Sequence, residues 1–223
     1  MPRSTHVVVT MNSKEELEAI VPTVERFFAE RGLELNTEKT KIVHVKDGFN
    51  FLGFNVISFK NKCIVRPQKE KVHAFLEKIR DWLRTHKMAP VAAVIRHLNP
   101  ILRGWANYYR YGNSKGTFNY VDAQVWKAIW RWCLRRHPNK SKFWVYKRYF
   151  KRIDGRDRTF FCTLKEPVTG VQYDMKLFRT ADMKIVRYVK VPGNASPDNP
   201  GQREYWQKRA SKRRCSVEEL VEV

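Results

Sequence analysis

Between His97 and Gly112 the chain reads His-Leu-Asn-Pro-Ile-Leu-Arg-Gly-Trp-Ala-Asn-Tyr-Tyr-Arg-Tyr-Gly, and no other run constrains the fold as much. Asn99 followed by Pro100 predicts a helix start, because an Asn side chain caps free amides and Pro tolerates the first helical position. Ile101, Leu102, Trp105, Tyr108 and Tyr109 then recur at three- and four-residue steps, the spacing of one apolar helix face. Arg103, Asn107 and Arg110 fall together on the opposite face. Gly104 costs about 1 kcal/mol relative to Ala in a helix interior, which predicts a close approach there by another helix or a nucleic-acid strand. The polar face has two readings, a solvated back or a binding surface.

Helical stripes flank this run. Val72, Phe75, Leu76, Ile79 and Leu83 predict a helix over 68–86; Val91, Val94 and Ile95 predict another over 90–98. Phe118, Val121, Val125 and Ile129, with Trp126, Trp130 and Cys133 on the adjoining side, predict one over 117–136. Short connections make these a bundle. Upstream, residues 7–10 read as a strand, and Ser13 with Glu16 forms a capping box. The helix it opens places Leu17, Ile20, Val21, Val24, Phe27 and Phe28 on its buried side, and Gly32 stops it. Strands are predicted over 41–45, 49–58 and 62–66, with turns at Asp47-Gly48 and near Asn61. Beyond Gly155 the chain is β-like over 159–164, 171–178 and 184–191, with a turn at 167–170, either as a sheet of its own or as a cover on the bundle. Residues 194–201 read as a linker, before a basic helix containing Tyr205, Trp206, Lys212, Arg213 and Arg214. The class is α+β. Its parts are a strand–helix–strand piece with a hairpin (1–66), a helical domain (67–158), a β-rich extension (159–192) and a linker with a basic tail (193–223).

Charge narrows the function. The 223 residues hold 44 Lys+Arg against 22 Asp+Glu, a formal charge of +22. Such an excess repels itself in a compact state unless a polyanion offsets it. Between Arg131 and Arg158 eleven cations face only Asp154 and Asp157, with Trp144, Tyr146, Tyr149 and Phe150 among them. Lys and Arg neutralise phosphates, and exposed rings stack unpaired bases; alternatively the rings are core and the cations their solvated backs. No apolar run of about 18 residues exists to span a bilayer. Cys63, Cys133, Cys162 and Cys215 lack Cys-x-x-Cys spacing, so reduced thiols in the cytoplasm are expected, without disulfides or zinc.

Chemistry is sparse. The first half has no Asp-Asp or Asp-x-Asp, and Glu15-Glu16 suits a helix N-terminus. No HEXXH, Walker loop or Gly-x-Ser-x-Gly occurs. Cys133 and His137, four apart, read better as a core thiol beside a surface imidazole than as a site, and His97 as a cap or phosphate ligand only secondarily.

Three motifs in order carry a resemblance: Gly32-Leu-Glu-Leu-Asn-Thr-Glu-Lys-Thr-Lys41, Phe51-Leu-Gly-Phe54, and Leu98-Asn-Pro-Ile-Leu-Arg-Gly-Trp-Ala-Asn-Tyr-Tyr109. Together with 118–138 they resemble the group II intron-encoded reverse transcriptase/maturases, over the end of the palm, a connecting hairpin and the thumb or maturase-specific domain. The resemblance implies binding of structured intron RNA, help with its folding and splicing, and contact with a DNA target or template–primer duplex. It marks Arg103, Asn107, Tyr108, Tyr109 and Arg110 as signature positions. With the charge census it gives a candidate nucleic-acid surface of those five plus Arg131, Arg135, Arg136, Lys140, Lys142, Lys147, Arg148, Lys151 and Arg152. The family carries Tyr-Ala-Asp-Asp immediately before the Val-Val-Thr strand, where this chain has Arg3-Ser4-Thr5-His6. That departure implies a C-terminal piece with no catalytic residue and no cofactor, Mg2+ being expected only for a complete polymerase. The alternatives are a polymerase completed by the missing fingers and palm, and an inert remnant of a degraded intron reading frame.

Overall fold

The apolar stripes become helices whose buried sides meet. A computed structural model describes residues 7–36, 40–60, 62–166, 170–186, 191–193 and 195–218, with side chains described up to residue 210. The chain forms two compact units, Met1–Val186 and Arg187–Val223. In the first, α1 (Lys14–Ala29) precedes a three-stranded antiparallel sheet of β1 (Phe49–Phe51), β2 (Phe54–Phe59) and β3 (Lys62–Pro67). Then come α2 (Lys69–Thr85), α3 (Val91–Tyr109), α4 (Lys115–Arg136) and α5 (Lys142–Tyr149). A second antiparallel sheet follows, of β4 (Phe150–Ile153), β5 (Arg156–Lys165) and β6 (Gln172–Lys176), and then a 3-10 turn at Thr180–Asp182. The second unit contains α6 (Arg203–Glu218). The α+β class holds.

The core is the bundle. Val72, Leu76, Ile79 and Leu83 of α2 meet Val94, Ile95, Leu98 and Leu102 of α3 and Val121, Val125, Ile129 and Trp132 of α4, all buried. Val145 and Tyr149 of α5 close one side, and Phe150 and Phe160 carry the second sheet into the same cluster. The later strands do both: β5 and β6 join β4 in a sheet of their own, and that sheet covers the bundle.

The predicted break at Asn99-Pro100 does not occur, and α3 is one helix through Pro100. Pro removes one intrahelical hydrogen bond, from the carbonyl of Arg96. Arg96 and Pro100 both lie on the exposed side, where the lost bond leaves no buried carbonyl unpaired, while Leu98 and Leu102 continue the buried stripe. Asn99 caps nothing in its own helix. Its Nδ2 donates to Lys176 O at 3.1 Å and its Oδ1 accepts from Phe178 N at 2.8 Å, clasping the chain as it leaves β6.

Upstream the expectations fare unevenly. Ser13 caps α1 as predicted, accepting from Glu16 N at 3.2 Å. None of α1's residues is buried, so its expected core side lies half-exposed or exposed, Phe27 at 50%. Residues 7–10 and 41–45 form no strand, because no neighbouring strand in the described residues completes a ladder with them. The predicted strand over 49–58 is a hairpin, turning at Leu52 (φ 46°) and Gly53 (φ 78°). A β-like Leu in a left-handed position hid that turn. Residues 167–169 of the turn predicted over 167–170 and residues 187–190 of the strand predicted over 184–191 lie outside the described residues, and 184–186 form no strand.

Candidate nucleic-acid interface

The first sheet docks on the end of α3, where it encloses Tyr109 but leaves Tyr108, expected on the apolar side, 51% exposed. Tyr108 donates from its hydroxyl to Leu52 O at 2.6 Å and stacks on Phe54. Tyr109 is 5% exposed and packs edge-on against Phe54, in a cluster with Ala106 and Phe118. A Cβ at Gly53 would sit 3.0 Å from the Tyr109 hydroxyl and one at Gly112 2.8 Å from Val65 O, so both glycines set the fit of hairpin to helix. Asn113 N donates to Val65 O at 2.6 Å, fixing the same joint.

Arg110 departs from expectation as well. It is only 6% exposed, its Nε has no partner, and its Nη1 donates weakly to Asn107 Oδ1 at 3.5 Å. Its backbone carbonyl accepts from Val186 N, so the chain near Val186 runs over it. The helical wheel placed Arg110 on an open face; the helix end and the irregular chain near Val186 enclose it. Arg103 and Asn107 do stay exposed, Arg103 with its guanidinium 5.2 Å from the Phe178 ring. A Cβ at Gly104 would have no neighbour within 4 Å, so among the described residues no helix approaches there and the backbone stands bare between them.

The cations after Arg131 divide into sets. Lys140, Lys142, Lys147 and Arg148 are exposed around α5, which Ser141 caps by accepting from Trp144 N at 3.2 Å. Phe143 (67% exposed) and Trp144 (37%) stand among them, with Lys147 Nζ 4.6 Å from the Phe143 ring and Lys140 Nζ 5.6 Å from that of Trp144. Of the interleaved aromatics, Trp144 is on the surface while Tyr149 and Phe150 are core. Phe143 was missed because, as a Phe, it reads as core.

Arg131 and Arg135 turn instead toward α2, lining an open cleft of about 420 Å³ with Glu77, Arg80, Arg84 and Gln124. Arg80 and Arg84 escaped the sequence reading because Glu77 and Asp81 alternate with them and suggest ordinary helix pairs. The other predicted cations are engaged. Arg136 donates to Ala89 O and lies 5.2 Å from the Trp132 ring, Lys151 pairs with Asp174, and Arg152 lies 3.7 Å from Asp157. Lys151 and Thr163 together hold the Asp174 carboxyl below the usual carboxylate range.

The titratable pair on α4 carries no chemistry. Burial pushes the Cys133 thiol up to about 12, which keeps it protonated and inert. His137 shares a hydrogen bond with the Tyr149 hydroxyl at 2.6 Å, and desolvation, then Arg136, Arg148 and Lys140, hold its imidazole below the ordinary range. His97 stacks on Trp82, with centroids 4.1 Å apart, and neither caps nor reaches out for phosphate.

Two family models match this chain in order: reverse transcriptase (RNA-dependent DNA polymerase) over 6–56, and group II intron, maturase-specific domain, over 72–150. The chain carries a group II intron maturase-specific domain preceded by a reverse-transcriptase segment. Its maturase-specific domain begins at Val72 in α2 and ends at Phe150, both buried in the one bundle core. The reverse-transcriptase match covers α1 and the first hairpin. The ribosomal operon-associated A protein of Euglena longa is 26% identical over 117 residues, half of this chain and 22% of that protein. The maturase chain thus matches about a fifth of that relative's length. No helix among the described residues is long and apolar enough to cross a membrane.

Proposed function

We propose that this chain is an RNA-binding maturase module that assists the folding and splicing of structured group II intron RNA in the cytoplasm. The α5 face is the observation that supports it best. Four exposed cations surround two exposed rings there, an arrangement suited to gripping phosphates while stacking unpaired bases. Arg103, Asn107 and the bare backbone at Gly104 add a second contact region on α3. Filter binding to structured intron RNA and to random duplex DNA, across a salt series, tests this. Tighter binding of the RNA at every salt concentration is expected; equal affinities contradict RNA selectivity.

A second reading is part of an RNA-directed DNA polymerase, active with fingers and palm supplied separately and engaging a template–primer duplex. The open apolar side of α1, with Val7, Val8, Val9, Ile42 and Val43 exposed beside it in sequence, favours a covering partner. Among the described residues no three His, Cys, Asp or Glu side chains group as metal ligands. Primer extension by the chain alone should yield no product; extension would overturn the non-catalytic reading.

A further inference from the structure

We propose that the cleft between α2 and α4 is a groove for the phosphates of a single nucleic-acid strand, separate from the α5 face. This rests on the RNA-binding reading and names a second site within it. Arg80 is preorganised: its Nη1 donates to Glu77 Oε1 at 2.6 Å and its Nη2 to Gln124 Oε1 at 3.1 Å. Arg84 pairs with Asp81 and lies 3.6 Å from Glu77 Oε2. From the opposite wall come Arg131 and Arg135, which form no ion pair among the described residues. Four guanidinium groups against two carboxylates leave two positive charges uncompensated, both on α4.

Geometry says what those two charges fit. Arg131 and Arg135 are one helical turn apart, about 5–6 Å between Cβ atoms, comparable to the step between neighbouring phosphates of one strand. Leu83 and Ala128, both buried, line the cleft without side-chain acceptors that would compete for the guanidinium donors. The fork of Arg bonds phosphate oxygens in pairs, and its plane stacks on a base. The volume lies within the range of small-ligand clefts.

The test measures the affinity of the full chain for a short fluorescein-labelled oligouridylate across a salt series. R131Q/R135Q should flatten the log–log salt slope by about 1.4, two contacts at about 0.7 each. R131K/R135K should restore it. E77Q, which frees Arg80 and removes a repelling carboxylate, should tighten binding and steepen the slope. An unchanged slope in R131Q/R135Q, with a flattened one in K142Q/K147Q, overturns the cleft site and leaves RNA binding intact. A flat slope in the unmodified chain overturns both. If R131Q/R135Q fails to melt cooperatively, E77Q decides, and weaker binding by that variant contradicts the proposal. Polyglutamate binding tighter than oligouridylate, lost in R131Q/R135Q, assigns the cleft to an acidic polypeptide and also overturns it.

Discussion

The α1 segment and the α2–α4 bundle both carry apolar stripes at helical spacing, yet only the bundle buries them. In the bundle, Leu98, Leu102, Val121 and Ile129 are fully enclosed. In α1, Leu17, Ile20, Val24 and Phe28 repeat at the same steps and none is buried. A helix buries its stripe only against another stripe, and the described residues place none against α1. The maturase-specific bundle therefore buries its apolar stripes within the described residues, whereas the stripe of α1 stays open.

Substitution should expose that difference sharply. Trp132→Ala or Leu102→Ala removes a fully packed side chain and should cost about 3–5 kcal/mol in urea unfolding. Leu17→Ala in α1 should stay within about 0.5 kcal/mol. Equal losses in both would mean that α1 is packed after all. Clasps come next. Asn99→Ala leaves the Phe178 amide without its acceptor, and Asp122→Ala does the same to Thr180 N, bonded at 2.8 Å, and Ala181 N at 2.9 Å. Each should destabilise by about 1–3 kcal/mol, and a loss smaller than that of Leu17→Ala would contradict the clasp.

Those clasps mark where local reading ends. Helices α2 and α4 were legible because apolar spacing and burial agree. Asn99-Pro100 misled because capping chemistry is local, while the continuity of Leu98 and Leu102 across the proline is tertiary. Arg103, Asn107 and the α5 cations were legible as exposed charge. Arg110 was not, since the backbone that covers it comes from residue 186, far along the chain, whereas Tyr109 is buried on the apolar face that the spacing predicts. The cleft arginines on α2 needed α4 beside them before they formed anything.

Smaller effects refine the contrast. His137 resists protonation when folded, whereas the unfolded chain protonates near its ordinary value of 6.5. The unfolded state thus binds more protons below that pH, so stability should be complete above about 6.5 and decline as pH falls through it. His137→Gln should remove that part of the decline; an identical pH profile would contradict the depressed imidazole. Thiol labelling should modify exposed Cys63 promptly and spare Cys133 until unfolding, and rapid labelling of both would mean an open bundle. Gly104→Ala should stabilise α3 by up to about 1 kcal/mol; a net loss would place an unseen neighbour at that backbone.

The salt dependence of structured intron RNA binding tests the central claim most directly. Six to eight phosphate contacts predict a log–log slope of about −4 to −6, at about −0.7 per contact. Removing the α5 cations with K140Q/K142Q/K147Q/R148Q should flatten it by about 2.8 at the same increment. A slope unchanged by those four substitutions would contradict a maturase bundle that grips RNA through its α5 face.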